Sequence, residues 1–213
     1  MTASPHRLHA GIAEIGKLLA LKGRHGEALA KYREALRLAH SLRAPQIFPR
    51  HYLHCVLESL ELSGAHGQAA ALAGEAASAA ANPAPSDFQR RDRAHLLERQ
   101  GVNLLKAGDT AAARTTLAEA IALDADLPLA RALIGWTARG LSVSPARLAD
   151  AQRLHRYFSV RADAVDAALA RSAEKMLSPT QPGNGGILLK SQLARSAEKM
   201  PNPNASKEPH HGR

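Results

Sequence analysis

The chain has 213 residues, room for one domain with or without a tail, and it is 45% hydrophobic but only 3% aromatic, a balance that suits alanine-rich helices in close contact and argues against a sheet core. Its net charge of +9 is uneven: residues 1–50 carry nine Lys/Arg against three Asp/Glu, residues 51–150 nine against eleven, and residues 151–213 ten against five. Cys55 is the only cysteine, which excludes an intrachain disulfide, and no apolar run approaches the roughly 20 residues that span a bilayer.

In chain order, residues 1–8 read as a frayed start, followed by a helix from about His9 to Leu21 with Ile12, Ile15, Leu18 and Leu19 on one side. Lys22-Gly23-Arg24-His25-Gly26 forms the turn, with Gly23 placed to end the helix in a left-handed conformation. A second helix carries Ala28, Leu29, Tyr32, Ala35 and Leu36 on one face. The pattern returns in weaker form. Around 50–83, Gly64 aligns with Gly23 and Ala69 with Ala28, while Leu57 and Ala73 stand where the first hairpin has Gly16 and Tyr32. Around 94–127, Gly101 matches Gly16, Gly108 matches Gly23, and Ala113 and Ala120 take the small positions. Leu117 replaces the aromatic residue, and Asp109 or Thr110 is placed to cap the following helix. Around 128–158, Gly135 follows Gly101 by 34 residues, and Ser144-Pro145 reads as an N-cap with proline at the first helical position.

These residues resemble the tetratricopeptide repeat, a helix–turn–helix unit of 34 residues. The resemblance rests on Ile15-Gly16, Gly23, Ala28 (expected opposite Gly16), Tyr32 and Ala35, and again on Gly64, Gly101, Gly108 and Ala113; the family's terminal proline is missing, with His40 in its place. It implies an all-α fold: hairpins stacked as a short right-handed α-solenoid over 9–158, in units of about 9–42, 50–83, 94–127 and 128–158. Turn-to-turn spacings of 41 and 44 residues (Gly23 to Gly64, Gly64 to Gly108) exceed the family period, which implies longer helices or linkers at the proline-bearing stretches 44–50 and 82–88. An amphipathic helix over 160–177, with Val165, Leu169, Ala173 and Met176 or Leu177 on one face, is the expected cap for the open end of the stack. From 178 to 213 proline, glycine and asparagine dominate, and a disordered tail is expected.

The resemblance also implies where a partner binds, because in this family the first helix of each unit lines the concave groove. That assigns Glu14, Lys17, His51, His54, Glu58, His95, Glu98 and Arg99 to one partner-facing surface. The alternative is a set of polar residues facing only solvent. Lys17 stands where a family subgroup that binds C-terminal carboxylates uses asparagine, so binding of that type is not expected. His51, His54 and Cys55 are zinc-ligand types in close sequence, but their spacing is not diagnostic of a metal site. No phosphate loop, dinucleotide fingerprint or nucleophile elbow occurs.

The octapeptide LARSAEKM occurs twice, at 169–176 and 193–200. As a docking helix, with Leu169 and Met176 in one copy and Leu193 and Met200 in the other, it gives a route to self-association; as a tolerated duplication it does nothing. The resulting expectation is a non-enzymatic interaction scaffold with no cofactor, binding a protein or peptide. Nucleic-acid binding through the basic ends is the alternative, disfavoured because there are few aromatic platforms for stacking. A metal-dependent role at His51, His54 and Cys55 comes last. Glu14 and Lys17 interrupt the one apolar segment near the start, so no secretory leader is expected, and a cytoplasmic location is.

Overall fold

The computed structural model describes residues 5–178, and among them every regular element is helical. The chain divides into one compact unit, Met1–Lys175, and a second, Met176–Arg213, of which only 176–178 are described. Leu193, Met200 and the stretch expected to be a disordered tail therefore lie outside the described residues, except Ser178.

The elements are α1 (Pro5–Leu21), α2 (His25–Ser41), α3 (Ile47–Leu62), α4 (His66–Ala79), α5 (Asp87–Lys106), α6 (Thr110–Leu123), α7 (Pro128–Ala138), α8 (Pro145–Leu154), a 3-10 turn (Ala162–Ala164) and α9 (Ala167–Leu177). From α1 to α7 each helix packs on the next, and α1 also touches α3 as α5 touches α7.

Local chemistry explains most of the boundaries. Gly23 sits at φ +73, a left-handed position that costs a Cβ-bearing residue but not glycine. Its N–H reaches the carbonyl of Ala20 and that of Arg24 reaches Leu19, closing α1. Gly64, Gly108 and Gly140 end α3, α5 and α7 with the same sign of φ. Gly140 was not singled out from the sequence; Gly135 was, yet a Cβ there would meet only the Arg139 side chain, at 3.6 Å. Ser86 caps α5 through a reciprocal box with Gln89, at 3.3 and 2.9 Å. Asp109 caps α6 by accepting from Ala112 N at 3.0 Å, and Ser144 caps α8 by accepting from Arg147 N at 3.3 Å.

Three differences from the sequence reading have physical causes. First, α1 begins at Pro5, within the stretch expected to be frayed, because His9 is buried and its Nδ1 lies 2.7 Å from the Tyr52 hydroxyl, tying the first turns to α3. Second, the third hairpin begins before 94: of the two expected sources of extra length, a longer helix accounts for part of it, because α5 starts at Asp87 behind the Ser86 cap. Third, 160–166 is not α-helical. The Val160 and Asp166 amides are donated to the carboxylates of Glu58 and Glu14 and not to carbonyls one turn back. Only 167–177 forms the expected terminal α-helix, in which Ala170 and Ala173 are buried while Met176 and Leu177 are exposed.

Close packing depends on paired sizes. A Cβ on Gly16 would lie 2.5 Å from Tyr32 Cε1, so the ring, rather than Ala28, is what lies nearest to that glycine. A Cβ on Gly101 would lie 2.6 Å from Leu117 Cγ. In the second hairpin the sizes are exchanged: Leu57 stands on the first helix and Ala73 on the second, both fully buried in one core cluster. The first and third hairpins thus place one bulky residue opposite one small one, which preserves interior packing density.

Candidate functional site: the α1–α3–α5 face

Polar residues recur one turn apart on α3 and α5, where an amphipathic helix buried on that side would carry apolar ones. Glu58 and Glu61 lie on α3, and Arg99 and Asn103 on α5; all four are buried. What covers them is the chain itself. After α8 the backbone runs through 155–166 as a strap without α-helix and returns along these first helices to α1.

Each polar group on the face meets the strap or braces a residue that does. Glu58 accepts the Ser159 amide at 2.8 Å and the Val160 amide at 3.2 Å. Arg99 donates from Nη2 to the Tyr157 carbonyl at 3.4 Å and the Ser159 hydroxyl at 3.3 Å, lies 3.6 Å from Glu58, and has its guanidinium 4.8 Å from the centre of the Tyr157 ring. Glu61 is enclosed by four donors. Lys106 Nζ and Gln152 Nε2 each reach its Oε1 at 2.6 Å, while the Tyr157 hydroxyl (2.9 Å) and Asn103 Nδ2 (3.1 Å) reach its Oε2. Glu14 accepts Lys17 Nζ at 2.7 Å and the Asp166 amide at 2.9 Å. Val160 fits among Ala28, Leu29, Tyr32, Cys55 and Leu60. Beyond the strap, Leu169 O and Ala173 Cβ of α9 occupy the space beside Gly11 on α1.

The remaining residues of the sequence-derived set divide into bracing and exposed groups. His54 Nδ1 accepts Arg99 Nε at 3.2 Å, fixing that nitrogen as unprotonated. Burial, together with the Arg99 charge, drives His54 down to about 3. Burial and the nearby Lys17 charge lower His51 as well. His51 Nε2 lies 3.8 Å from Cys55 Sγ, and burial pushes that thiol up to about 12, so it stays protonated and unreactive. Among the described residues no group of three or more His, Cys, Asp or Glu side chains is arranged to hold a metal ion. Glu98 serves the fold: its Oε1 accepts the Ala130 amide at 3.1 Å and satisfies the start of α7, which has no side-chain cap of its own. His95 alone of the set is well exposed.

Burial raises Glu58, while Arg99 and the two strap amides pull it down. Burial is also the main reason that the Tyr157 phenol is raised. The face therefore offers fixed acceptors and donors at hydrogen-bonding distance from a non-helical backbone that bends at Ser159. It brings Glu14, Lys17, His54, Glu58 and Arg99 against the chain's own strap or against residues that hold it. Sequence reasoning missed Glu61, Asn103, Lys106, Gln152, Tyr157, Ser159 and Val160. The available signal was the one-turn spacing of Glu58 from Glu61 and of Arg99 from Asn103. Comparison with family models, curated proteins and solved structures finds no match for the chain.

Proposed function

We propose that this chain is a non-enzymatic protein-interaction module of the tetratricopeptide type, its helical hairpins stacked as a short right-handed solenoid whose first helices receive an extended segment of a partner protein. The observation that carries the reading is the grip of Glu58 and Arg99 on main-chain atoms of 157–160. Side chains rooted in two successive hairpins hold a non-helical stretch by its main-chain atoms, the kind of contact by which a peptide is gripped whatever its sequence. The positive-φ turn glycines and the paired bulky and small residues support the repeat assignment.

The test is site-specific photocrosslinking in cells, with the photoreactive residue at His95 on the first-helix face or at exposed Glu75 on α4. The module reading expects a discrete protein adduct from position 95 and none from 75. Adducts from neither position, or from 75 alone, overturn it. The twofold LARSAEKM favours a second, compatible reading as a self-associating module, because the first copy already seats Ala173 against Gly11 on α1.

A further inference from the structure

We propose that the strap 157–166 is a displaceable occupant of the binding face, and that the partner it stands in for is an extended protein segment with a tyrosine followed three residues later by valine or isoleucine. The inference deepens the module reading and rests on it.

Three observations carry it. The wall beneath the strap is built like a surface: Glu14, Lys17, Glu58, Glu61, Arg99 and Asn103 lie under or beside it. Charges are costly to bury and gain hydration when uncovered, so lifting the strap exposes groups that water satisfies. Next, Glu58, Glu14 and in part Arg99 hold the strap by backbone atoms, namely the amides of 159, 160 and 166 and the carbonyl of 157. Any peptide that takes up the bend at 159 offers the same atoms. Sequence enters at two main points: the Tyr157 hydroxyl on Glu61 with its ring against Arg99, and Val160 in its apolar seat. These set the tyrosine-to-valine spacing.

Finally, the strap is an incomplete ligand. Arg99 Nη1 and Asn103 Oδ1 are buried without a hydrogen-bond partner among the described residues. A segment that also places an acceptor on Arg99 Nη1 satisfies a group the strap leaves orphaned, and so outcompetes it. Arg156, where the strap begins, has φ +51, a conformation that glycine favours.

The experiment uses the full chain and a fluorescent peptide of residues 156–165, RYFSVRADAV, read by anisotropy. Ser159→Pro removes an amide that Glu58 accepts and loosens the strap. We expect the peptide to bind this variant at least tenfold more tightly than the parent. Glu58→Ala added to Ser159→Pro should abolish binding, as should a peptide with alanine in place of tyrosine. Ser159→Pro protein that keeps its helical circular dichroism yet does not bind the unmodified peptide overturns the proposal. Should Ser159→Pro not fold, native-state hydrogen exchange of the parent decides: the 159 and 160 amides are expected to exchange well before global unfolding. Exchange only with global unfolding makes the strap a permanent part of the core and overturns displacement. An adduct at position 95 with the strap amides still protected leaves the module reading intact while displacement fails.

Discussion

Glu61 shows at the scale of one residue how this face was made. A carboxylate has about four lone-pair sites, and here Lys106, Gln152, Asn103 and Tyr157 fill them from α5, α8 and the strap. Glu61→Gln replaces one acceptor oxygen with a donor that faces other donors. The expected loss is about 3 kcal/mol, the low end for breaking a buried charge pair; denaturant unfolding measures it, and a loss below about 1 kcal/mol means the donors have other partners. His54 gives a pH signature. Its imidazole is held down to about 3 when folded, against the ordinary 6.5. Between those values the unfolded chain binds a proton that the folded chain refuses. Stability therefore falls as pH drops below 6.5, with a slope approaching one proton, about 1.4 kcal/mol per pH unit. Glu58 has the opposite sign, because burial raises it and the folded state takes up its proton more readily from 4.5 upward. Comparing the parent with His54→Asn isolates the histidine: unfolding curves from pH 7 to 5 should converge as pH falls. Parallel curves would mean that His54 titrates normally when folded.

At the scale of the element, the first and third hairpins are each held by a matched pair across their two helices. Gly16→Ala puts a methyl 2.5 Å from the Tyr32 ring, an overpacking loss of about 1–3 kcal/mol. Combined with Tyr32→Leu, the size found at Leu117 opposite Gly101, the loss should be smaller than the sum of the single changes by at least about 0.5 kcal/mol. Additive losses in thermal melts would show that the two positions do not share a contact. This level was largely legible in the sequence, because a turn that needs positive φ selects glycine and a hairpin core imposes helical spacing. Gly23, Gly64, Gly108, Asp109 and Ser144 all betray their roles through residue type. The strap was not legible. Ser159 and Glu58 are 101 positions apart, and Asp166 and Glu14 are 152 apart. A segment held by distant side chains has no period to read, and Val165 and Leu169 imitate a helical face that begins only at Ala167. Of the polar residues assigned to a partner surface, Glu14, Glu58 and Arg99 contact a segment far along the same chain, whereas Glu98 serves the start of α7 and His95 is exposed.

Across the whole molecule, the net charge of +9 is the property most open to misreading. Among the described residues several basic side chains are held in ion pairs: Arg24 pairs with Glu27, Lys31 with Glu34, Arg50 with Asp92 and Arg153 with Asp150. We expect no binding of RNA or DNA by filter retention at about 50 mM salt, where phosphate contacts are strongest; salt-sensitive binding there would revive the nucleic-acid reading. The repeated octapeptide supplies the other test at this scale. Deleting 190–200 should shift the chain to a smaller species in sedimentation if the second copy joins molecules, and an unchanged mass distribution ends self-association by that route.

The order in which the chain is made gives the strap a further meaning. Glu58 must wait for Ser159, 101 residues later. At synthesis rates of about 5–20 residues per second, that is an interval of roughly 5–20 seconds. For that time α1, α3 and α5 emerge and pair with nothing across them. On the displacement proposal, a partner present during synthesis would reach the face before the strap has been translated, whereas one that arrives later would have to evict it. On that proposal, two copies of the same polypeptide are therefore expected to carry different occupants according to what each met while it was being made.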